Sequence, residues 1–164
     1  MKIAPLPAHE GDRLASLRAL LILDTPPEER FDRIAAFAAQ EFDVPMALVS
    51  LVDADRTWFK SRIGVEVCEA PRDVSFCGHA IVSHETLVVP DTWKDARFAD
   101  NPNVTAAPHI RFYAGACLQL PGGQIVGTLC LYDTVPRAMD AIALAILSSL
   151  RDLVVEQLLA RTAA

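Results

Sequence analysis

The tightest constraint on the fold is a turn. Pro121-Gly122-Gly123 sits between two strand-like runs, Phe112 to Leu120 and Gln124 to Asp133. A proline followed by two glycines between β-prone segments specifies a hairpin, because glycine supplies the positive φ that tight turns need. A second hairpin is expected upstream. Met46 to Val52 is almost wholly apolar, Asp53-Ala54-Asp55-Arg56 forms a polar link, and Thr57 to Ile63 follows as a strand with Trp58 and Phe59 on opposite faces.

Helical periodicity brackets these hairpins. Leu14, Leu17 and Leu21 form one apolar stripe, expected to end near Asp24. Phe31, Ile34, Ala35, Ala38 and Phe42 form another. Between them, Thr25-Pro26-Pro27-Glu28 has the form of a capping box, with threonine at the N-cap and proline in the first turn. Residues 64–74 read as a loop. Ser75 is placed to cap a short helix from Phe76 to Val82, and Leu87 to Pro90 is a brief strand. Residues 91–110 read as a long loop with at most one helical turn, a length common in binding elements. Ala138 to Arg161 is a long helix with apolar residues on more than one side, suited to packing on the domain and on a partner helix. Helices at the chain ends around antiparallel hairpins give an α+β architecture with a single sheet.

The 164 residues suit one domain, and no linker or repeat divides them. At 52% apolar and 22% charged, the chain carries enough hydrocarbon for its own core. A net charge of −6 argues against nucleic acid and anionic lipid as partners. No apolar run is long enough to span a bilayer, and the N-terminus has no signal-peptide core. Cys68, Cys77, Cys117 and Cys130 are therefore expected as free thiols in a cytoplasmic protein.

The separated segments also carry a family pattern. They are Arg13-Leu14 through Ile22-Leu23-Asp24-Thr25-Pro26-Pro27-Glu28-Glu29-Arg30-Phe31-Asp32, then Val49-Ser50-Leu51-Val52-Asp53 and Trp58-Phe59-Lys60-Ser61. Ser75-Phe76-Cys77-Gly78-His79-Ala80-Ile81 and Arg97-Phe98-Ala99-Asp100-Asn101-Pro102 follow. Ile110-Arg111-Phe112-Tyr113-Ala114-Gly115-Ala116 and Gly127-Thr128-Leu129-Cys130 complete the set. With these, the chain resembles a GAF domain of the bacterial signalling subgroup found with sensor kinases and diguanylate cyclases. The resemblance implies an antiparallel sheet of about six strands. Terminal helices would pack on one face, and loops and short helices would close a small-molecule pocket on the other. It implies a non-catalytic sensor, stand-alone or part of something larger, homodimeric through its terminal helices and acting on a kinase or cyclase. The ligand and any cofactor are unknown at this stage.

Nine residues are candidates for the ligand site: Trp58, Phe76, Cys77, His79, Trp93, Phe98, His109, Arg111 and Tyr113. Aromatic walls with a few polar groups are the usual furniture of such pockets. Cys77 near a helix N-terminus could be an activated thiolate or plain packing. Arg111 could fix an anion, or bridge to Asp91, Asp95 or Asp100 to hold the long loop. Two other functions stay open. One is similarity to the GAF-fold free methionine-(R)-sulfoxide reductases, with Cys68 and Cys77 as attacking and resolving thiols, although the family's further loop cysteine has no counterpart here. The other is a dimerisation module whose pocket is filled by its own side chains. The bilin, cyclic-nucleotide and zinc patterns are not matched, and neither a P-loop nor a Gly-x-Ser-x-Gly elbow is present.

Overall fold

The first and last long strands of the chain lie side by side at the centre of one sheet. The computed structural model describes residues 1–163; Ala164, the last residue of the expected domain, lies outside the described residues. The strands are β1 (Met46–Val52), β2 (Arg56–Ile63), β3 (Glu69–Pro71), β4 (Leu87–Val89), β5 (Phe112–Gln119) and β6 (Ile125–Asp133). They form a six-stranded antiparallel sheet in the order β3-β2-β1-β6-β5-β4. The helices are α1 (Glu10–Ala19), α2 (Glu29–Glu41), α3 (Phe76–Ser83), α4 (Pro102–Thr105) and α5 (Ala141–Ala163). The α+β class and the single sheet are as expected.

Both faces of the central strands are buried, so side-chain alternation sorts residues into two cores instead of core and solvent. Ala47, Val49 and Leu51 of β1, Phe112, Ala114 and Ala116 of β5, and Leu129 and Leu131 of β6 meet Leu17 of α1, Phe31 and Ala38 of α2, and Leu147, Leu150 and Val154 of α5. Met46 and Leu48 of β1, Tyr113 and Cys117 of β5, and Cys130 and Tyr132 of β6 face α3 and the 91–110 segment. Trp58 and Phe59 do point to opposite faces.

Several boundaries differ from expectation for identifiable reasons. α1 stops at Ala19, and Leu21 is 77% exposed with positive φ; Leu20 and Ile22 supply the burial instead. α2 begins at Glu29, after an extended Glu28, and Thr25 caps nothing. The Thr25 hydroxyl instead donates to the Ile22 carbonyl and accepts from Lys60 Nζ at 2.8 Å. The Lys60 side chain is fully buried, and its ammonium also reaches the Pro26 carbonyl (2.5 Å) and Glu28 (2.7 Å). A buried ammonium must be surrounded by oxygen, and that demand overrides the helix cap. The expected loop at 64–74 contains β3 and a 3-10 turn, and the 91–110 segment contains a 3-10 turn at Thr92–Lys94 as well as α4. α5 starts three residues later than expected, where the Asp140 carboxylate accepts from the Ala143 N–H at 2.7 Å.

Arg13, buried on α1, ties the helix layer to the end of the sheet. Its guanidinium donates to the Val52 carbonyl at 2.8 Å and to both Glu10 oxygens at 2.8 Å. Arg72, which precedes α3, also donates to Glu10 (2.5 Å) and to the Asp53 carbonyl (3.0 Å). Burial works against the Glu10 carboxylate, but the two arginines outweigh it and hold the pKa down at about 2, against an ordinary 4.5.

Two measurements test this frame. A Cβ at Gly127 would meet the Ser50 carbonyl at 1.9 Å, whereas one at Gly122 meets nothing within 4 Å. Gly127→Ala should therefore lower unfolding free energy by about 3 kcal/mol or more in urea titration, and Gly122→Ala by under about 0.5 kcal/mol. The Glu10 pKa is depressed on folding, so its stabilisation is full above pH 4.5 and is lost as pH falls towards 2. Glu10→Gln should destabilise the protein at pH 7, with the difference from the parent shrinking steadily below pH 4.5.

Candidate functional site

Strand register assembles a polar stripe on the α3-facing side of the sheet. Thr128 of β6 lies between Ser50 of β1 and Cys117 of β5; Cys130 lies between Leu48 and Gly115; Tyr132 lies between Met46 and Tyr113. Six of these nine positions carry a hydroxyl or a thiol, and all are buried. The opposite face of the same strands is almost pure hydrocarbon. Gly115 is required by this arrangement. A Cβ there would stand 2.1 Å from the Tyr113 hydroxyl, so the missing side chain lets that ring lie across the sheet.

α3 lowers Cys77 onto the stripe. The helix is capped by Ser75, whose hydroxyl oxygen accepts from the Cys77 N–H at 3.1 Å. The Cys77 sulfur accepts from the Thr128 hydroxyl (3.1 Å) and the Tyr113 hydroxyl (3.4 Å), and it lies 3.8 Å from both the Cys130 sulfur and the Tyr132 hydroxyl. The hydrogen bond with Cys130 foremost, helped by those of Thr128 and Tyr113, holds the Cys77 thiol below its ordinary range despite complete burial. Burial drives Cys130 well above that range, so Cys77 is the more acidic of the two.

An aromatic cluster seals this centre. Phe76 stacks on Phe98 with centroids 4.3 Å apart, and it meets Tyr113 at 5.2 Å and Tyr132 edge-on at 5.8 Å. Beside the cluster is a cavity of about 140 Å³. Its walls are Met46, Leu48, Phe59, Val65, Val67, Ala70, Val74, Ser75, Phe76, Asn103, Pro108, Ile110 and Tyr132. None of these side chains is charged. Ser75 and Asn103 are the polar side chains beside Tyr132.

The structure brings Phe76, Cys77, Phe98 and Tyr113 together, and among the nine candidates Phe76 alone lines the cavity. His79 packs edge-on against Phe98, with Nε2 2.8 Å from the Lys2 carbonyl, and burial lowers its pKa. The other four lie elsewhere. Trp58 points into the helix-covered core, because the alternation of β2 gives the cavity face to Phe59. His109 is exposed. Trp93 is 64% exposed and lies under Arg111, whose guanidinium is 3.4 Å from the ring centroid. Arg111 bridges to Asp91 at 3.0 Å, which is the loop-holding contact. Sequence reasoning missed Ser50, Phe59, Asn103, Thr128, Cys130 and Tyr132. The signal for three of them was present: Thr128, Cys130 and Tyr132 recur at every second residue of one strand.

Cys68 is exposed, and Cys77, Cys117 and Cys130 are buried. A bulky aromatic disulfide reagent should therefore titrate one thiol in the native protein and four after denaturation. A Cys68→Ser variant should show no fast-reacting thiol.

No helix among the described residues is long and apolar enough to cross a membrane. A cyclic di-GMP phosphodiesterase of Pseudomonas aeruginosa is 41% identical over 137 residues, covering 84% of this chain and 23% of that protein. The chain thus spans about a quarter of the relative's length. Among solved structures, the free methionine-R-sulfoxide reductase of Neisseria meningitidis superposes with a TM-score of 0.66 at 18% identity over 98% of both chains. The GAF domain of the Acinetobacter phosphoenolpyruvate-protein phosphotransferase superposes with a TM-score of 0.59 at 16% identity over 93% of both chains. At such identities these two likenesses concern the fold. The GAF domain sequence pattern itself matches residues 26–158. With six antiparallel strands in this order, helices on one face and a cavity on the other, the chain belongs to the GAF domain family.

Proposed function

We propose that this chain is a non-catalytic regulatory domain of bacterial signal transduction that binds a small, uncharged, mostly apolar molecule. The observation that carries this reading is the cavity beside Phe76: about 140 Å³, apolar, with no charged side chain in its wall. A volume of roughly 150 Å³ holds benzene. Nucleotides need more room and cationic partners for phosphate. Ser75 and Asn103 would orient one polar group on the ligand.

Two connections support a regulatory role. The 91–110 segment supplies Asn103, Pro108 and Ile110 to the wall, so occupancy acts on that segment directly. Phe59 also lines the cavity, and the next residue, Lys60, is paired with Glu28. Glu28 in turn pairs with Arg161 near the end of α5 at 2.7 Å. Displacement of β2 thereby reaches the last helix through one shared carboxylate. The similarity to the phosphodiesterase suggests an output enzyme that turns over a second messenger, alongside the kinase or cyclase outputs common to the subgroup.

The thiol-enzyme alternative is less well supported. Its two cysteines differ sharply in setting: Cys68 is exposed, while Cys77 is sealed and lies against Cys130. For assembly we propose a homodimer through the terminal helices. Phe37 of α2 and Ile142 of α5 are 51% and 72% exposed and border one shallow apolar groove. A symmetric copy of the same surface would cover it.

Calorimetric titration tests the ligand class. Benzene and indole should bind saturably, and cyclic AMP and cyclic di-GMP should not. Ala70→Phe, which fills the cavity from its partly exposed edge, should weaken binding at least tenfold while leaving the melting temperature within a few degrees. Binding of nucleotides alone would overturn the ligand class. Binding of nothing would favour the dimerisation module, and light scattering on the same samples should give twice the chain mass, reduced to one by Ile142→Asp.

A further inference from the structure

The cavity uses the edge of the aromatic cluster, but the thiol centre beneath it has no part in that role. Two buried cysteines on different elements, α3 and β6, hold their sulfurs 3.8 Å apart. The two sit in unlike surroundings. Cys77 is surrounded by hydroxyls that can donate to a thiolate: Thr128 at 3.1 Å, Tyr113 at 3.4 Å and Tyr132 at 3.8 Å. Cys130 faces the Leu48 carbonyl at 3.7 Å and the Ser50 hydroxyl at 3.5 Å. A carbonyl oxygen only accepts, so it favours the protonated thiol. The Cys130 thiol donates to that carbonyl, and Cys77, with hydroxyl donors on two sides, is the better placed of the two to act as the nucleophile. Cys117, the third buried thiol, is engaged elsewhere. It lies 3.2 Å from the Ala80 carbonyl, and burial pushes its pKa up to about 12.

We propose that Cys77 and Cys130 are a redox pair, in which a small neutral peroxide oxidises Cys77 and Cys130 closes the product to a disulfide. The Cys77 sulfur attacks one oxygen of hydrogen peroxide, and the O–O bond breaks. The departing hydroxide takes up the thiol proton and leaves as water, giving the sulfenic acid. The Cys130 sulfur then attacks the Cys77 sulfur, and the S–O bond breaks. That hydroxide takes the Cys130 proton and leaves as a second water. The two thiols lose two electrons and two hydrogens, and the peroxide is reduced to two waters.

Size and polarity select the oxidant. Both sulfurs are sealed from solvent, which shuts out glutathione disulfide and other bulky reagents. Tyr132 is shared by the two, since it lines the cavity and its hydroxyl lies 3.8 Å from the Cys77 sulfur. A molecule as small as hydrogen peroxide in the cavity is one side chain away from the sulfur. Closing the bond brings the sulfurs from 3.8 Å to about 2 Å and fastens α3 to the central strand β6. Oxidation thus acts on the helix that walls the cavity.

The test uses the full chain with Cys68→Ser, which removes the exposed thiol and leaves the buried cluster untouched. The protein is treated with hydrogen peroxide, denatured in an alkylating agent and weighed intact, then mapped as peptides. The expected result is a loss of two hydrogens, a linked peptide joining Cys77 to Cys130, an alkylated Cys117, and full reversal by dithiothreitol. Oxidised glutathione should give no such product. Retention of three free thiols would overturn the proposal, as would a linkage through Cys117 or over-oxidation of Cys77 without any linkage. Cys130→Ser provides a second readout, in which Cys77 should accumulate as a sulfenic acid that a cyclic dione traps.

Discussion

The pairing of β1 with β6 is the contact on which the rest of the molecule depends. It joins residues 46–51 to residues 127–132, across most of the chain, and converts two hairpins into one sheet. The two backbones meet closely where Gly127 faces Leu51, and any side chain at Gly127 would strike the Ser50 carbonyl. The pairing also places Ser50 beside Thr128 and Leu48 beside Cys130. The polar stripe, the seat of Cys77 and the floor of the cavity all follow from that register. A slip by one residue would turn the stripe towards the helices and set hydrocarbon under α3.

Burying a sheet on both faces creates a problem that the protein solves by pairing polar groups with one another. Hydroxyls and thiols on the α3 side bond among themselves, and among the described residues Thr57 Oγ1 is the buried side-chain oxygen or nitrogen left without a partner. Charges are handled in the same way at the margins of the sheet. Arg13 and Arg72 share Glu10 at one margin, and Lys60 and Arg161 share Glu28 at another. In each case one carboxylate serves two cations from different elements. Removing that carboxylate would leave two partly or fully buried cations facing each other. These shared carboxylates also link elements that local structure does not connect: α1 to the segment before α3, and β2 to α5.

Much of the fold was legible because its signals are local. The Pro121-Gly122-Gly123 turn, the apolar stripe of α2 and the opposition of Trp58 and Phe59 each need only a few neighbouring residues to be read. Boundaries set by distant partners were not legible in this way. Thr25 looked like a helix cap, but its oxygen is taken by Lys60, thirty-five residues on in sequence. The site divides along the same line. Motif and aromaticity singled out Phe76, Cys77, Phe98 and Tyr113, which the structure brings together, with Phe76 alone of them on the cavity wall. Trp58 lies in the helix-covered core, and Trp93, Arg111 and His109 lie away from the cavity wall, because nothing local says which side of the sheet a strand residue serves.

By itself, then, the sequence determined the long helices and the two hairpins, the α+β class, the family and some of the aromatic and thiol residues on the covered face. Periodicity, turn chemistry and motif order are properties of short segments and survive being read without coordinates. Only the tertiary structure decided that Cys77 meets Cys130 and not Cys68, that Arg111 is paired with Asp91, and that the cavity beside Phe76 is small and free of charged side chains. Those facts depend on strand register and on how far α3 sinks towards the sheet. Both are settled by long-range packing, where a shift of a few ångströms separates a contact from a gap.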